Sequence, residues 1–572
     1  MKVTLAQLDY IVGNFEYNYQ KIKQAIENYV DQSDIIVFSE LALSGYYVFD
    51  LVERNGFIQQ QNQYLQKLIK LSNQYDCAII LGCITENLNQ GKLFYNSALV
   101  IASGEIIHTY HKQLLPTYNI FNEPRHFQAG DQAPIFKYRD KHIGILICED
   151  LWDQEERLYA HHPLINLKAY QGRLDYIITL NSSPSEYNKY KKRVQLLKQL
   201  ALTMEADCYY VNQVGGYDDI VYDGASFVVS KEGNLKYQLP AFSELIAIVD
   251  TDMQSEILDF NQDIKEAFFL EQMKLGLKDY VEKCRFKGVV IALSGGIDSA
   301  LTLTIATLAL GKERVCAITM PSTYSSIGSV SDSELLCQNL GVKLYNRPIS
   351  KDYQLSCSLF NDAFKKEPSR LTCENIQARI RGRVVMEYAN EFGLLVISCG
   401  NKSELSVGYA TLYGDMNGGI NIIGDLYKTD VYQVAEYINT TEDHLIPKSI
   451  IKKAPSAELS EGQKDSDSLP PYDLLDAVLK LSIEGDLLEE DEVIELKRLS
   501  CQLTAEEIQE ILSLIDRAEF KRKQAPPIIR LQHRSFGVGR MIPITHQFAT
   551  DHWKLEAYGD IMSNNTMKMN YR

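Results

Sequence analysis

The sequence predicts an α/β protein built as two domains in tandem. At 572 residues the chain exceeds what one hydrophobic core usually organises. In both halves short runs rich in Val, Ile and Leu alternate with stretches of helical period, the pattern of sheets covered by helices. Near the middle, the apolar run Gly288 to Leu293 passes through Ser294-Gly-Gly-Ile-Asp-Ser299 into Ala300 to Ile305, which reads as strand, tight turn and helix. Two adjacent glycines let a ligand approach the backbone, the first helical N–H groups face an anion, and two serines add donors. This is chemistry for phosphate. It is not a Walker A loop, because no lysine follows the second glycine.

In the first half, Val3 to Leu8 alternates like a half-buried strand, and a helix follows with Ile22, Ile26 and Tyr29 on one face. Asp34 to Phe38 reads as a buried strand running into Ser39-Glu40. Strands follow at Cys77 to Leu81, Ser97 to Ile101, and Glu105 to Tyr110, the last running into His111-Lys112. Ile143 to Cys148 comes next, then Tyr176 to Leu180 and Tyr209 to Asn212, these two separated by a basic helix near Lys189 to Leu202. Glu40, Lys112 and Cys148 thus each stand where a strand ends, and one cleft at a sheet edge can gather all three.

Strand signals fade after Ala247 to Asp250. The spacing divides the chain into a domain at 1–255, a linker at 256–270, a domain at 271–545 and a tail at 546–572. The second domain has strands at Val315 to Met320 and Leu394 to Ser398 and a helix near Asp332 to Leu340, hence a parallel sheet with ligands at the strand C-termini.

Composition bounds the partners. The net charge of −17 disfavours nucleic acid and anionic membranes, and no apolar run approaches the length of a spanning helix. Eleven cysteines without a C-x-x-C pair suggest neither a zinc site nor a disulfide framework, so a cytoplasmic location is expected.

Three stretches of the first half resemble the nitrilase superfamily: Phe38-Ser-Glu-Leu-Ala-Leu-Ser-Gly-Tyr46, His111-Lys-Gln-Leu-Leu-Pro-Thr-Tyr118 and Ile147-Cys-Glu-Asp-Leu-Trp152. The resemblance implies an α-β-β-α sandwich and a catalytic Glu40, Lys112 and Cys148. Glu40 would accept the thiol proton, Lys112 would stabilise thiolate and oxyanion, and Cys148 would attack a carboxamide and release ammonia. By the same resemblance Tyr118, Ser185 and Lys191 would bind glutamine, although arginine is commoner where Lys191 stands. Glu123 either supports Lys112 or is a loop charge.

The glycine turn resembles the pyrophosphate loop of the ATP pyrophosphatases, which implies a Rossmann-like α/β domain that transfers AMP. Asn401 to Asp415, Pro455-Ser-Ala-Glu-Leu459, Leu469-Pro-Pro-Tyr-Asp473 and Lys521 to Pro527 are similar to the synthetase domain of the glutamine-dependent NAD synthetases. That resemblance implies an ATP site at Ser294, Gly295, Gly296, Ile297, Asp298, Ser299, Gly400 and Lys428, with Mg²⁺ on Asp298 and Glu404. It implies deamido-NAD contacts at Asn375, Glu404 and Lys521, with the Lys402 region a further candidate cation, and a homo-oligomer. Two departures stand out: Gly462 to Ser468 is less acidic than the family pattern, and Gly539-Arg-Met-Ile-Pro-Ile544 replaces an arginine pair. Expected substrates are glutamine, deamido-NAD and ATP. The rival readings are an ATP pyrophosphatase amidating another carboxylate, and a catalytically inert scaffold.

Overall fold

The structure is a computed structural model describing residues 1–152, 158–160, 162–170, 172–250, 256–257 and 264–548. It divides into two compact units, Met1–Gly216 with Ile220–Asp263, and Tyr217–Asp219 with Ile264–Arg572.

The first unit holds two sheets. One runs, edge to edge, Leu245–Val249, Val3–Gln7, Ile35–Val37, Ala78–Glu86, Phe94–Ala102 and Glu105–His111. The other runs Glu256–Ile257, Leu235–Gln238, Phe227–Val229, Asp207–Asn212, Tyr176–Asn181, Lys141–Ile147 and Ile135–Tyr138. Because side chains alternate along a strand, each sheet has two apolar faces to bury. Val3, Leu5, Ile35, Val37 and Ile80 meet Ile145, Ile147, Ile178 and Val211 between the sheets. On the outer face of the first sheet, Ile36, Phe38, Ile79 and Leu81 pack under Ile22 and Ile26 of the helix Phe15–Tyr29 and Leu65 and Leu68 of the helix Phe57–Ser72. On the outer face of the second, Leu146, Ile177 and Tyr210 pack against Leu197 and Leu200 of the helix Lys189–Met204. The result is the α-β-β-α sandwich.

Three adjacent parallel strands in each sheet matter most. Val3–Gln7, Ile35–Val37 and Ala78 onward run together in one, and Lys141–Ile147, Tyr176–Asn181 and Asp207–Asn212 in the other. Glu40, Cys148 and Ser182 follow the ends of such strands. Gly82 is required here, since a Cβ would meet Ser39 O at 2.3 Å and Leu41 N at 2.4 Å.

The second unit carries a five-stranded, wholly parallel sheet in the order Lys343–Asn346, Val315–Thr319, Val289–Leu293, Leu395–Ser398, Ile420–Asn421. The first three strands in sequence step outward one way, and the fourth and fifth lie on the other side of the first. A crevice therefore opens between the C-terminal ends of Val289–Leu293 and Leu395–Ser398, where doubly wound sheets take ligands. The helix Ile297–Leu310 starts there, as does Lys402–Val407 after Asn401. Helices Tyr472–Ile483 and Ala505–Arg517 cover the short Lys402–Val407 helix through Leu475, Leu479, Leu512 and Leu405.

The helix Lys265–Lys283 begins inside the stretch read as linker, and Ile327–Leu340 starts five residues before its expected position, with Ser326 accepting from Ser329 N as its cap. Residues 258–263 of the expected linker and 549–572 of the expected tail lie outside the described residues. Among the described residues no helix is long and apolar enough to cross a membrane.

Candidate active sites

In the first unit, Glu40, Lys112 and Cys148 are all buried. Lys112 Nζ donates to Glu40 Oε1 at 2.8 Å and to Glu123 Oε1 at 2.7 Å. Of the two readings of Glu123, the structure supports contact with Lys112 over a loop charge. Glu40 is fixed from three further directions: Asn96 Nδ2 donates to Oε1 at 2.7 Å, Ser182 N to Oε2 at 2.9 Å, and Ser182 Oγ to the Glu40 carbonyl at 3.1 Å. Tyr46 OH donates to Glu123 Oε1 at 2.7 Å.

Cys148 does not continue its strand. It turns into the left-handed region at φ 44 and opens a one-turn 3-10 helix, Cys148–Leu151, a conformation that costs a non-glycine residue free energy and marks a position held by its surroundings. Asp150 provides that hold. Its carboxylate accepts from Ile147 N at 3.0 Å, Leu114 N at 2.9 Å, Gln113 N at 3.1 Å and Tyr110 OH at 2.8 Å, so it ties the Cys148 turn to the segment just after Lys112.

Burial sets the electrostatics. It pushes the Cys148 thiol well up, with the Glu40 charge adding and the Lys112 cation opposing. Burial works against the Lys112 cation, yet Glu123 and Glu40 outweigh it and hold the ammonium well above its ordinary range. Burial also raises the neighbouring carboxyls, Glu149 to about 7 and Asp150 to about 6. A resting site with neutral thiol and charged lysine follows.

Tyr118 OH donates to Glu149 Oε2 at 2.9 Å, and Tyr159 OH to Oε1 at 3.1 Å, beside the thiol. Ser185 is buried, its N–H bonded to Val221 O at 2.7 Å. Lys191 is exposed in the first turn of the helix Lys189–Met204. Two residues on, Arg193 is fully buried: it pairs with Asp223 at 2.7 Å and donates to the Ser183 and Pro184 carbonyls at 2.9 and 3.0 Å, just before Ser185. Sequence reading missed Arg193, Glu149 and Asp150; the two acids lay inside a quoted motif, which was the available signal.

In the second unit the glycine turn lies at the crevice. Gly295 has φ +78, and a Cβ there would meet Ser329 O at 2.4 Å, so only glycine fits. Ser294 and Ser299 hydroxyls stand 3.1 Å apart, Ser294 N donates to Ser299 Oγ at 3.2 Å, and Ser294 Oγ accepts from Gly296 N at 3.3 Å. Asp298, in the first turn of its helix, accepts from Asn401 Nδ2 at 2.8 Å and from Lys428 Nζ at 2.6 Å. Lys428 Nζ also reaches Glu404 Oε1 at 3.1 Å. Burial lifts the Glu404 carboxyl to about 8, with Lys428 opposing and Asp298 adding. Burial disfavours the Lys428 cation, but Asp298 and Glu404 more than compensate and raise it.

A cavity of about 280 Å³ gathers Ser294, Gly296, Ile297, Asp298, Ser299, Gly400, Glu404 and Lys428 in its wall, with Arg381, Asp415, Lys453 and Asp465. Arg381 donates to Met320 O at 3.1 Å, and burial pulls its pKa down to about 10. Asn375 accepts from Thr411 Oγ1 at 2.9 Å, and Lys521 Nζ donates to the Gly408 and Ala410 carbonyls at 2.8 Å each, so both reach the cavity through the loop that carries Thr411 and Asp415. The Lys402 expectation needs correction. Lys402 is fully buried and pairs with Asp425 at 2.9 Å and Glu484 at 2.6 Å, so its charge is spent inside the fold.

Fold and sites together define an amidase-type unit followed by a nucleotide-dependent synthase unit. The family models agree: residues 2–257 match the carbon-nitrogen hydrolase family and 269–525 the NAD synthase family. A glutamine-dependent NAD(+) synthetase of Synechocystis sp. is 39% identical over 563 residues, covering 96% of this chain and 99% of the relative. The structure of glutamine-dependent NAD+ synthetase from Acinetobacter baumannii, in complex with ADP, aligns at a TM-score of 0.73 and 36% identity over 96% of this chain and 99% of that one. The corresponding enzyme of Cytophaga hutchinsonii, 19% identical, shares the fold at a TM-score of 0.79 over 96% and 98% of the two chains. The chain belongs to the glutamine-dependent NAD(+) synthetase family, and it is a ligase.

Proposed function

We propose that the first unit hydrolyses glutamine to glutamate and ammonia, and that the second amidates deamido-NAD with that ammonia at the expense of ATP, giving NAD, AMP and pyrophosphate. The observation that carries this reading is the presence in one chain of two complete constellations, Glu40–Lys112–Glu123 around Cys148 and Asp298–Lys428–Glu404 at the glycine turn.

In the amidase unit, Glu40 takes the thiol proton of Cys148 as sulfur attacks the amide carbon, and the Lys112 ammonium stabilises the negative charge that develops. The proton passes to the leaving nitrogen, ammonia departs, and water attacks the thioester with Glu40 again as base. Glu123 holds the Lys112 ammonium together with Glu40. Tyr118, Ser185 and Lys191 bind the glutamine, with Arg193 stiffening the backbone before Ser185.

In the synthetase unit, Ser294 to Ser299 receives the β- and γ-phosphates and Lys428 the charge that develops on transfer of AMP to the carboxylate. Gly400 gives the nucleotide room in the wall. Asn375, Glu404 and Lys521 serve the dinucleotide, the two outlying residues through the loop at 408–415. Asp298 and Glu404 fit a Mg²⁺ ion: both are carboxylates, and one oxygen of each converges on the Lys428 ammonium. When bound, Mg²⁺ supplies charge neutralisation for the triphosphate and the leaving pyrophosphate. All eleven cysteines are free thiols, in keeping with a reducing cytoplasm.

Incubation with ATP, Mg²⁺, glutamine and deamido-NAD tests the reading. AMP and NAD are expected in equal amounts; turnover of another carboxylate in place of deamido-NAD would favour the rival pyrophosphatase, and no pyrophosphate release would favour the scaffold.

A further inference from the structure

The synthetase constellation hangs on three helix starts, and two of them, those of Glu404 and Lys428, are tied to one buried carboxylate that the mechanism above leaves out. Glu404 lies in the first turn of Lys402–Val407, and Lys428 is the first residue of Lys428–Thr441. The leading N–H groups of a helix need acceptors from outside it. Here Lys428 N donates to Ser403 Oγ at 2.8 Å, and Thr429 N donates to Asp476 Oδ2 at 2.9 Å. Ser403 Oγ in turn donates to Asp476 Oδ1. Asp476 belongs to a third helix, Tyr472–Ile483, and is 2% exposed, as enclosed as Ser403 and Lys428.

We infer that Asp476 is a positioning residue of the synthetase reaction: through Ser403 and Thr429 it sets the separation of Glu404 and Lys428. The inference rests on the function proposed above. One carboxylate accepts from the residue beside Glu404 and from the residue beside Lys428, so the 3.1 Å contact between those side chains is referenced to a common point. The carboxylate also faces the N-terminal end of Lys428–Thr441, where negative charge complements the helix dipole. Asparagine keeps the shape but not the charge, and its amide nitrogen would either oppose the Thr429 N–H or, facing Ser403 Oγ, reverse the direction of that hydrogen bond.

The test uses the full chain with ammonium as nitrogen source. Wild type is expected to make NAD; if it does not, the functional reading fails and this inference is not the cause. In Asp476→Asn, loss of a charge-assisted hydrogen bond is expected to lower kcat about tenfold or more. The concentration of Mg²⁺ giving half the maximal rate should rise, and Mn²⁺, counted through the EPR signal of unbound ion, should bind more weakly to the protein. Ser403→Ala should show the same displacement, and the double variant should be no worse than the single ones, since both act along one path. A fall in kcat with an unmoved Mg²⁺ requirement and unmoved Mn²⁺ binding would show a merely structural role and overturn the inference. Additive effects of the two substitutions would do so too. Should Asp476→Asn fail to fold, Ser403→Ala, which keeps the carboxylate and its Thr429 N–H, carries the same comparison.

Discussion

Replacing Lys521 with alanine gives a quantitative test of how the dinucleotide is recognised. The Lys521 ammonium donates to two backbone carbonyls, Gly408 and Ala410, at 2.8 Å each, and the loop beyond them contributes Thr411, Gly414 and Asp415 to the cavity wall. Thr411 in turn donates to Asn375. A hydrogen bond to a charged group contributes about 1.5–3 kcal/mol, but Lys521 is only partly buried and water would replace some of what is lost. Taking one such bond as the net loss rather than two, the loop loosens by roughly 1.5–3 kcal/mol, a tenfold to hundredfold effect on a ligand that needs the loop ordered. The assay is initial-rate kinetics at low salt, varying deamido-NAD, ATP and glutamine in turn. The Michaelis constant for deamido-NAD should rise by that factor while those for ATP and glutamine change little. Equal movement of all three would refute the assignment of this loop to the dinucleotide.

Other substitutions test separate parts of the account. Asp298→Asn should abolish NAD formation with either nitrogen source, while thioester formation at Cys148 persists; retained ammonium-driven synthesis at ordinary Mg²⁺ would contradict the role given to Asp298. Glu149 has a folded pKa of about 7 against 4.5 for an unperturbed glutamate. Between those values the folded state holds more protons, so stability falls as pH rises from about 5 to about 7, by about 3 kcal/mol for this group. Denaturation of wild type and Glu149→Gln at pH 5 and pH 8 should show the fall shrinking by that amount in the variant. Lys402→Met leaves Asp425 and Glu484 buried without their cation and should cost about 3–5 kcal/mol, seen as a melting transition lower by about 10 °C.

The residues that proved easiest to read are those where a local pattern ends in a reactive group. A β-type run that stops at Glu40, at Lys112 or at Cys148 carries its own evidence, and so does a glycine pair between an apolar strand and a helix. The structure adds what depends on distant partners. Glu123 reaches Lys112 from a loop eleven residues on, with no periodicity to signal it. Arg193 reads as one more cation of a basic helix, and its burial depends on Asp223, thirty residues later, and on the Ser183 and Pro184 carbonyls. Lys402 was misread for the same reason, since Glu484 lies 82 residues away. The helix Phe57–Ser72 passed unread because five of its first six residues after Phe57 are polar, although Leu65, Leu68 and Ile69 face the sheet. A carboxylate such as Asp476, which matters through two helix starts, has no local signature at all.

The central claim is that two chemically independent sites in one chain pass nitrogen from glutamine to the dinucleotide. The most direct measurement is the fate of ¹⁵N in wild type and Cys148→Ala, supplied either as glutamine labelled in its amide or as ammonium, with ATP, Mg²⁺ and deamido-NAD present. Wild type should place label from both sources in the NAD carboxamide, and Cys148→Ala should do so from ammonium alone, at a rate close to wild type. Label from glutamine in the variant, or loss of the ammonium-driven reaction in a folded variant, would contradict the account.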